Sequence, residues 1–311
     1  MQYIPNLIFA LALAVGLGFF VMNIRKLLRN IKLGKDVNRT DKKPERLKNM
    51  MMIALGQSKM VKRPFSGFLH VIVYVGFVII NIEVLEIVID GIAGTHRIFQ
   101  GIIGDSFYAF LIGTFEIFAA LVFIAVILFW TRRNLANIKR FMSAEIKGWP
   151  KSDANYIIYF EMILMTLFIV MNATDAPFQE AGIGNPISQF IAPLFDAFSP
   201  EALHIVERTA WWIHILGILT FLNYLYYSKH LHILLAFPNT YFANLNPKGQ
   251  FDNLESVTNE VKLMMDPDAD PYAMPAEGAE ETVPEKFGAS DVADLNWVQL
   301  LNSYTCTECG R

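Results

Sequence analysis

The residues of this chain best suited to chemistry are six histidines and two cysteines, and their spacing says more than their number. His214 and His232 lie eighteen residues apart in one apolar stretch. In an unbroken helix that is about five full turns and about 27 Å of rise, so both imidazoles point the same way, one near each end. His230, sixteen residues from His214, points to nearly the opposite side of such a helix, so the spacing selects His232 over His230 as the partner in a shared function. His70 lies one turn into a different apolar stretch running the other way, which sets it at about the depth of His232. Two imidazoles at one depth on different helices can clamp a haem iron axially, because neutral imidazole is a strong ligand whose second nitrogen can be oriented by a hydrogen bond. The blander role is a hydrogen bond tying neighbouring helices, as in a non-redox membrane scaffold or transport subunit. Opposite His214 the second apolar stretch offers Ile80, Asn81, Glu83 and Glu86 but no histidine. His96, in the loop beyond it, is then the candidate ligand, with His204 the next.

Cys306 and Cys309 form a lone C-x-x-C near the end of the chain. By itself that spacing fits a redox dithiol, half a zinc site, or chance, and two thiolates cannot alone hold a cubane iron–sulfur centre, which needs four.

These residues must be positioned by elements of unusual composition. More than half the residues are apolar and 25 are phenylalanine. The apolar residues bunch into five stretches, about 3–28, 65–92, 107–130, 154–174 and 210–237, each long enough to cross a hydrocarbon core of ~30 Å as a helix. Segments such as FAALVFIAVILFW lack the polar face a water-soluble helix repeats every 3.6 residues. The first stretch has neither the basic start nor the small-residue cleavage site of a signal peptide, so it counts as a span. Loops 29–64 and 131–153 carry eleven and six Lys or Arg, whereas loops 93–106 and 175–209 carry only Arg97 and Arg208. The positive-inside rule then places the N-terminus outside and the C-terminus in the cytoplasm. The basic loops read as topology signals, and nothing points to nucleic acid. Residues 241–286 form an acidic, Pro- and Ala-rich linker, and from 287 apolar residues return at helical spacing.

Carboxylates inside the spans are costly unless they pair or protonate. Glu83, Glu86 and Asp90 recur at i, i+3 and i+7 and share one helix face, with Glu116 at similar depth on the third span. Facing the bundle interior, Glu83, Glu86 and Glu116 are candidates for a proton path; Asp90 fits better as a polar helix contact. Glu161 stands alone in the fourth span. Trp130, Trp149, Trp211 and Trp212 suit the interface belt.

WWIHILGILTFLNYLYYSKHLHILLAFPN, from Trp211 to Asn239, resembles the last span of membrane cytochrome b proteins related to the nitrate reductase gamma subunit and the heterodisulfide reductase membrane subunit. The resemblance implies His214 as ligand of an outer b-type haem and His232 as ligand of an inner one. RPFSGFLH, Arg63 to His70, is similar to the start of that family's second span and implies His70 as the inner haem's other ligand. The further histidine the gamma subunit places about ten residues on falls at Ile80 here. FGASDVADLNWVQLLNSYTCTECGR resembles the start of the iron–sulfur domain fused to such cytochromes, in which C-T-E-C-G-R-C opens a [4Fe–4S] motif. The expected architecture is an all-α membrane protein: a five-helix transmembrane cytochrome b bundle, the acidic linker, and at 287–311 the start of a ferredoxin-like domain cut within a longer protein. The expected function is electron transfer between menaquinol or another quinone and a cytoplasmic iron–sulfur or heterodisulfide-reductase-like partner, in a bacterial or archaeal inner membrane.

Overall fold

A computed structural model describes residues 3–136, 138–182, 184–247, 249–250, 253–267 and 288–308. Cys309 and most of the acidic linker lie outside the described residues. The helices in chain order are α1 (Ile4–Ile31), α2 (Lys43–Met50), α3 (Pro64–Ala93), α4 (Ile98–Ile103), α5 (Asp105–Asn134), α6 (Trp149–Thr174), α7 (Ala176–Ala181), α8 (Ser188–Ile191), α9 (Pro200–Tyr224), α10 (His232–Tyr241), α11 (Glu255–Met265) and α12 (Trp297–Thr305). No strand occurs among the described residues; one isolated bridge joins Lys35 to Asn296.

Helices α1, α3, α5, α6 and α9, the last extended by a 3-10 turn to Tyr227, are long and apolar enough to cross a membrane. Each of them except α5 carries proline in its first two positions, where the missing N–H costs nothing and the fixed φ suits the helix. Helix α3 packs on α5, α5 on α6, α6 on α9, α9 on α1 and α1 on α3, closing the five into a ring. Phe9, Ile112, Phe115, Phe168 and Ile215 fill its centre with almost no exposure. Leu7, Phe68, Val78, Phe110, Ile124 and Ile163 point outward and are exposed, forming the continuous apolar surface that lipid tolerates and water does not. Gly76 lets α3 and α5 approach closely, since a Cβ there would stand 2.6 Å from Val122 Cγ2.

The fifth span differs from its sequence reading at both ends. It begins at Pro200 rather than near 210, because Ser199 caps it by accepting from the N–H of Ala202. It stops at Ser228, whose backbone is extended (φ −115, ψ 148) and whose hydroxyl accepts from the N–H of His230. His214 is therefore close to the middle of the span, not near one face, and His232 opens a separate helix. The phase relation between His214 and His232 does not survive the break.

Two ends of the bundle have different chemistry. The basic end carries loops 32–63 and 135–148, and Leu27, Ile31, Leu225, Leu231, Leu235 and Leu301 pack there around α10 and α12. Arg46, almost wholly buried, donates to the carbonyls of Tyr241 and Ala243 and pairs with Asp41. The far end carries α4, α7 and α8 over a polar network.

Candidate functional site

At the basic end three histidines come together. His70 sits in the second turn of α3 and its Nδ1 is buried without a partner. It lies within electrostatic reach of His232, and His230 is within reach of both. The break after α9 is held by Asp153 of α6, wholly buried, which accepts from the Tyr224 hydroxyl (2.5 Å) and from the N–H of Lys229 (3.0 Å). That turn brings His230 and His232 edge to face at 5.5 Å, with Phe221 5.4 Å from His230. His230, which uninterrupted spacing sends to the opposite side, thus joins the cluster. His232 Nδ1 stands 2.9 Å from the carbonyl of Lys229. A carbonyl can only accept, so Nδ1 holds the proton and Nε2 presents the lone pair.

His214 repeats this arrangement at mid-depth. Its ring is 1% exposed, Nδ1 donates to the Leu164 carbonyl at 3.1 Å, and Nε2 is buried with no partner. Phe168 lies 6.3 Å from the imidazole. A metal-ligating histidine usually has its other nitrogen fixed in this way by a carbonyl. Among the described residues no three of His, Cys, Asp and Glu converge on an ion site. An axial haem ligand needs only one open nitrogen, so His214 and His232 fit that role and His70 adds a second open ring at the basic end.

His96 is not brought to His214. Its Nε2 pairs with Asp175 at 3.2 Å in the far-end loop, where it is half-exposed. Asp175 follows Leu164 by eleven residues along α6, which separates the two histidines by about 16 Å in depth. His204 lies in the first turns of α9 and, with His96, Asp175, Glu207 and Arg208, lines a cleft of about 430 Å³.

Glu83, Glu86 and Glu116 all face inward and are buried, but they differ in what they hold. Glu86 accepts from the N–H of Phe99 (2.9 Å) and the Tyr108 hydroxyl (3.0 Å). Glu116 accepts from Asn172 (3.0 Å) and from the N–H groups of Ile187 (2.8 Å) and Ser188 (2.9 Å), fastening the start of α8. Asp90 accepts from Thr95 and from the N–H groups of Arg97 and Ile98, closing the loop before α4. Of these four carboxylates only Glu83 keeps a buried oxygen, Oε2, without a partner, while lying in reach of the charges of Arg97, Glu86 and Glu116. Glu161 is buried and has no hydrogen-bond partner among the described residues.

Sequence reading overlooked Arg97. Its guanidinium donates to Asp175 (2.9 Å), Asn172 (3.0 Å) and Tyr108 (3.3 Å) and lies 4.1 Å over the Phe178 ring. The only signal was its isolation as a cation in a loop otherwise without one. Burial would raise the Asp175 carboxyl, but His96 and Arg97 outweigh it and hold it at about 2, below the ordinary 3.8. Because the folded value is depressed, the stabilisation is complete above about pH 4 and is lost as pH falls through about 2. Unfolding temperature in detergent is expected to drop over that window, by the equivalent of roughly 2 kcal/mol, and Asp175→Asn to flatten the drop. An unchanged acid profile in Asp175→Asn would count against the assignment.

Cys306 is exposed just after α12, and the N–H of Glu308 points at its Sγ from 3.4 Å. Glu308 adopts a left-handed backbone (φ 45) to do so. N–H contacts to sulfur stabilise a thiolate, the form that binds iron, so Cys306 suits that role. Missed by sequence reading as well were Asp153 and Lys229, whose importance depends on contacts between distant segments.

Comparison with known proteins gives two curated relatives. The chain is 27% identical to the probable iron-sulfur-binding oxidoreductase FadF of Bacillus subtilis, over 98% of this chain and 39% of that protein. It is 22% identical to the EtfAB:quinone oxidoreductase of Syntrophomonas wolfei, over 89% of this chain and 35% of that protein. The chain thus spans less than two-fifths of the length of these relatives. No family model matches, and no solved structure matches. Both relatives bear the names of oxidoreductases, which supports electron transfer in general.

Proposed function

We propose that the chain is the membrane part of a quinone-linked oxidoreductase, passing electrons between a quinone in the bilayer and an iron–sulfur segment at the basic end. One observation carries this reading: His214 is buried with Nδ1 bonded to a carbonyl and Nε2 open. A histidine that only tied helices together would spend both nitrogens, because an unpaired buried polar atom costs about 1–3 kcal/mol. The relatives' names support the iron–sulfur and quinone parts of the reading. By loop charge the basic end would face the cytoplasm and the N-terminus the outside, and the membrane would be a bacterial or archaeal inner one.

His70 and His232 would hold a b-type haem at the basic end, and His214 would ligate one at mid-depth. Such a haem supplies one-electron transfer, while the protein's part is to hold and tune it. Cys306 and Cys309 would give two of the four thiolates of a [4Fe–4S] cluster, completed by cysteines elsewhere. Menaquinol or a similar quinol loses two protons with its two electrons, so the far-end carboxylates have a task. Glu86 and Glu116 spend their oxygens on N–H and O–H donors and serve to hold the fold. Glu83, with Oε2 free, would be the acceptor, and the cleft lined by His96 and His204 would give the proton its way out.

The test is a reduced-minus-oxidised spectrum of the purified protein. A b-type band is expected with dithionite and with a quinol as reductant, and a pyridine haemochrome count gives the number of haems. Glu83→Gln is expected to keep the dithionite band and to slow quinol-driven reduction roughly a hundredfold, in line with the loss of a proton acceptor. No band in the intact protein would sink the proposal.

A further inference from the structure

The C-terminal helix does not hang free of the bundle. The N–H of Lys35 donates to the Leu295 carbonyl (2.8 Å), the N–H of Trp297 to the Lys35 carbonyl (3.1 Å), and Trp297 Nε1 to the Val37 carbonyl (3.0 Å). Further along, Asn30 donates to the Tyr304 hydroxyl (3.0 Å), and Asn239 to Asn302. Trp297 meets Phe242 edge to face at 4.9 Å, and Leu301 is buried among Leu27, Ile31, Leu231 and Leu235. The two backbones come so close at Gly34 that a Cβ there would stand 2.5 Å from the nitrogen of Trp297. Only glycine admits that approach, because backbone cannot give way as a side-chain tip can.

This seat directs the cysteine turn to one residue. Lys229 Nζ lies 3.1 Å from the carboxylate of Glu308, the residue that donates its N–H to Cys306 Sγ. The same ammonium donates to the Pro150 carbonyl at 2.7 Å, and the lysine side chain is only 10% exposed. Lys229 also spends both backbone groups on the histidine cluster's frame, its N–H on Asp153 and its carbonyl on His232 Nδ1. An ion pair with one half-exposed partner contributes little stability, so what this contact supplies is placement.

We propose that Lys229 is a positioning residue that seats the Cys306 turn against the His70–His230–His232 cluster, so that electrons cross directly between the centres these residues hold. The proposal rests on the electron-transfer reading above. The crossing is one electron, one centre being oxidised as the other is reduced, with no proton and no co-reactant. It follows that the cysteine segment need not swing between partners to deliver charge.

Two measurements on the natural protein in its membrane test this. Zero-length carbodiimide cross-linking followed by peptide mass spectrometry is expected to join Lys229 to Glu308, and the yield to fall at least fivefold in Gly34→Ala. This reads the seat whether or not a haem is bound. In Lys229→Gln the His232 contact is to backbone; haem content and quinol-driven haem reduction are measured alongside, and the onward rate is taken per reduced haem. Transfer onward to the cysteine-held centre, followed by its paramagnetic signal, is expected to slow at least tenfold. Lys229→Arg should restore most of the rate, as should the exchange Lys229→Glu with Glu308→Lys. No cross-link in the natural protein, or an unchanged onward rate in Lys229→Gln, overturns the proposal. Absence of a haem band in the natural protein overturns the reading beneath it, which the spectrum reports separately.

Discussion

On the haem assignment proposed above, His232→Ala and His70→Ala should each abolish one and the same haem band, leaving less than about a tenth of its absorbance, whereas His230→Ala retains it. The three rings sit together; hydrogen bonding separates His232 from His230, and His70 is the ligand opposite because it alone of the three stands on a different helix, α3. His232 Nδ1 is committed to the Lys229 carbonyl, which leaves Nε2 as a ligand of defined direction, and His70 has an open buried Nδ1. His230 lies against Phe221 and meets His232 edge to face, without such an orienting bond among the described residues. An axial ligand and its orienting carbonyl act together, and removing the ligand would remove an iron–nitrogen bond that alanine cannot replace. His214→Ala is expected to delete an independent haem, so the haemochrome count in His214→Ala with His232→Ala falls to zero. In His214→Ala the lost Leu164 contact alone is worth only about 1–2 kcal/mol, so the bundle still forms and the loss is read on a folded protein. Loss of the basic-end haem in His230→Ala with retention in His232→Ala would reverse the assignment.

Arg97→Ala carries the largest expected cost in stability. Its guanidinium is the common partner of Asp175, Asn172 and Tyr108, and through Asn172 and Tyr108 it reaches Glu116 and Glu86. Asp175 is 4% exposed, so removing the cation strands a buried carboxylate beside a half-exposed imidazole. Breaking one side of such a pair costs about 3–5 kcal/mol, and the unfolding temperature in detergent should fall on the order of 10 °C. Arg97→Lys keeps the charge but not the planar fork that meets three partners, so it recovers only part of the loss. Arg97→Ala with Asp175→Ala should be more stable than Arg97→Ala alone, since the stranded charge is gone. If the double variant is no better, the stranded carboxylate is not the source of the cost.

The parts of the site that were legible in the sequence are those whose signal is local. Runs of apolar residues show five membrane-length helices, and the crowding of Lys and Arg into two loops separates the two ends. The inward face of Glu83 and Glu86 follows from helical spacing, and both are buried. Spacing failed where the helix did. A single extended residue, Ser228, resets the rotation of everything after it, so His230 and His232 converge although sixteen and eighteen residues of ideal helix would part them. Extension of α9 to Pro200 likewise moved His214 from near one face to mid-depth, because a serine cap and a proline extend helix into a polar segment that hydropathy does not count.

The sequence by itself thus determined five membrane-length helices, a basic end, six imidazoles, and a C-x-x-C after an acidic stretch, since each of these is a property of neighbours along the chain. Only the tertiary structure decided which imidazoles share a site, which far-end carboxylate keeps an open oxygen, and that Lys229 joins Glu308 to the frame of His232. Those outcomes depend on Asp153 holding a turn more than seventy residues away and on Gly34 admitting the backbone of Trp297. Hydrogen bonds and close contacts of that range have no period, so no pattern along the chain announces them.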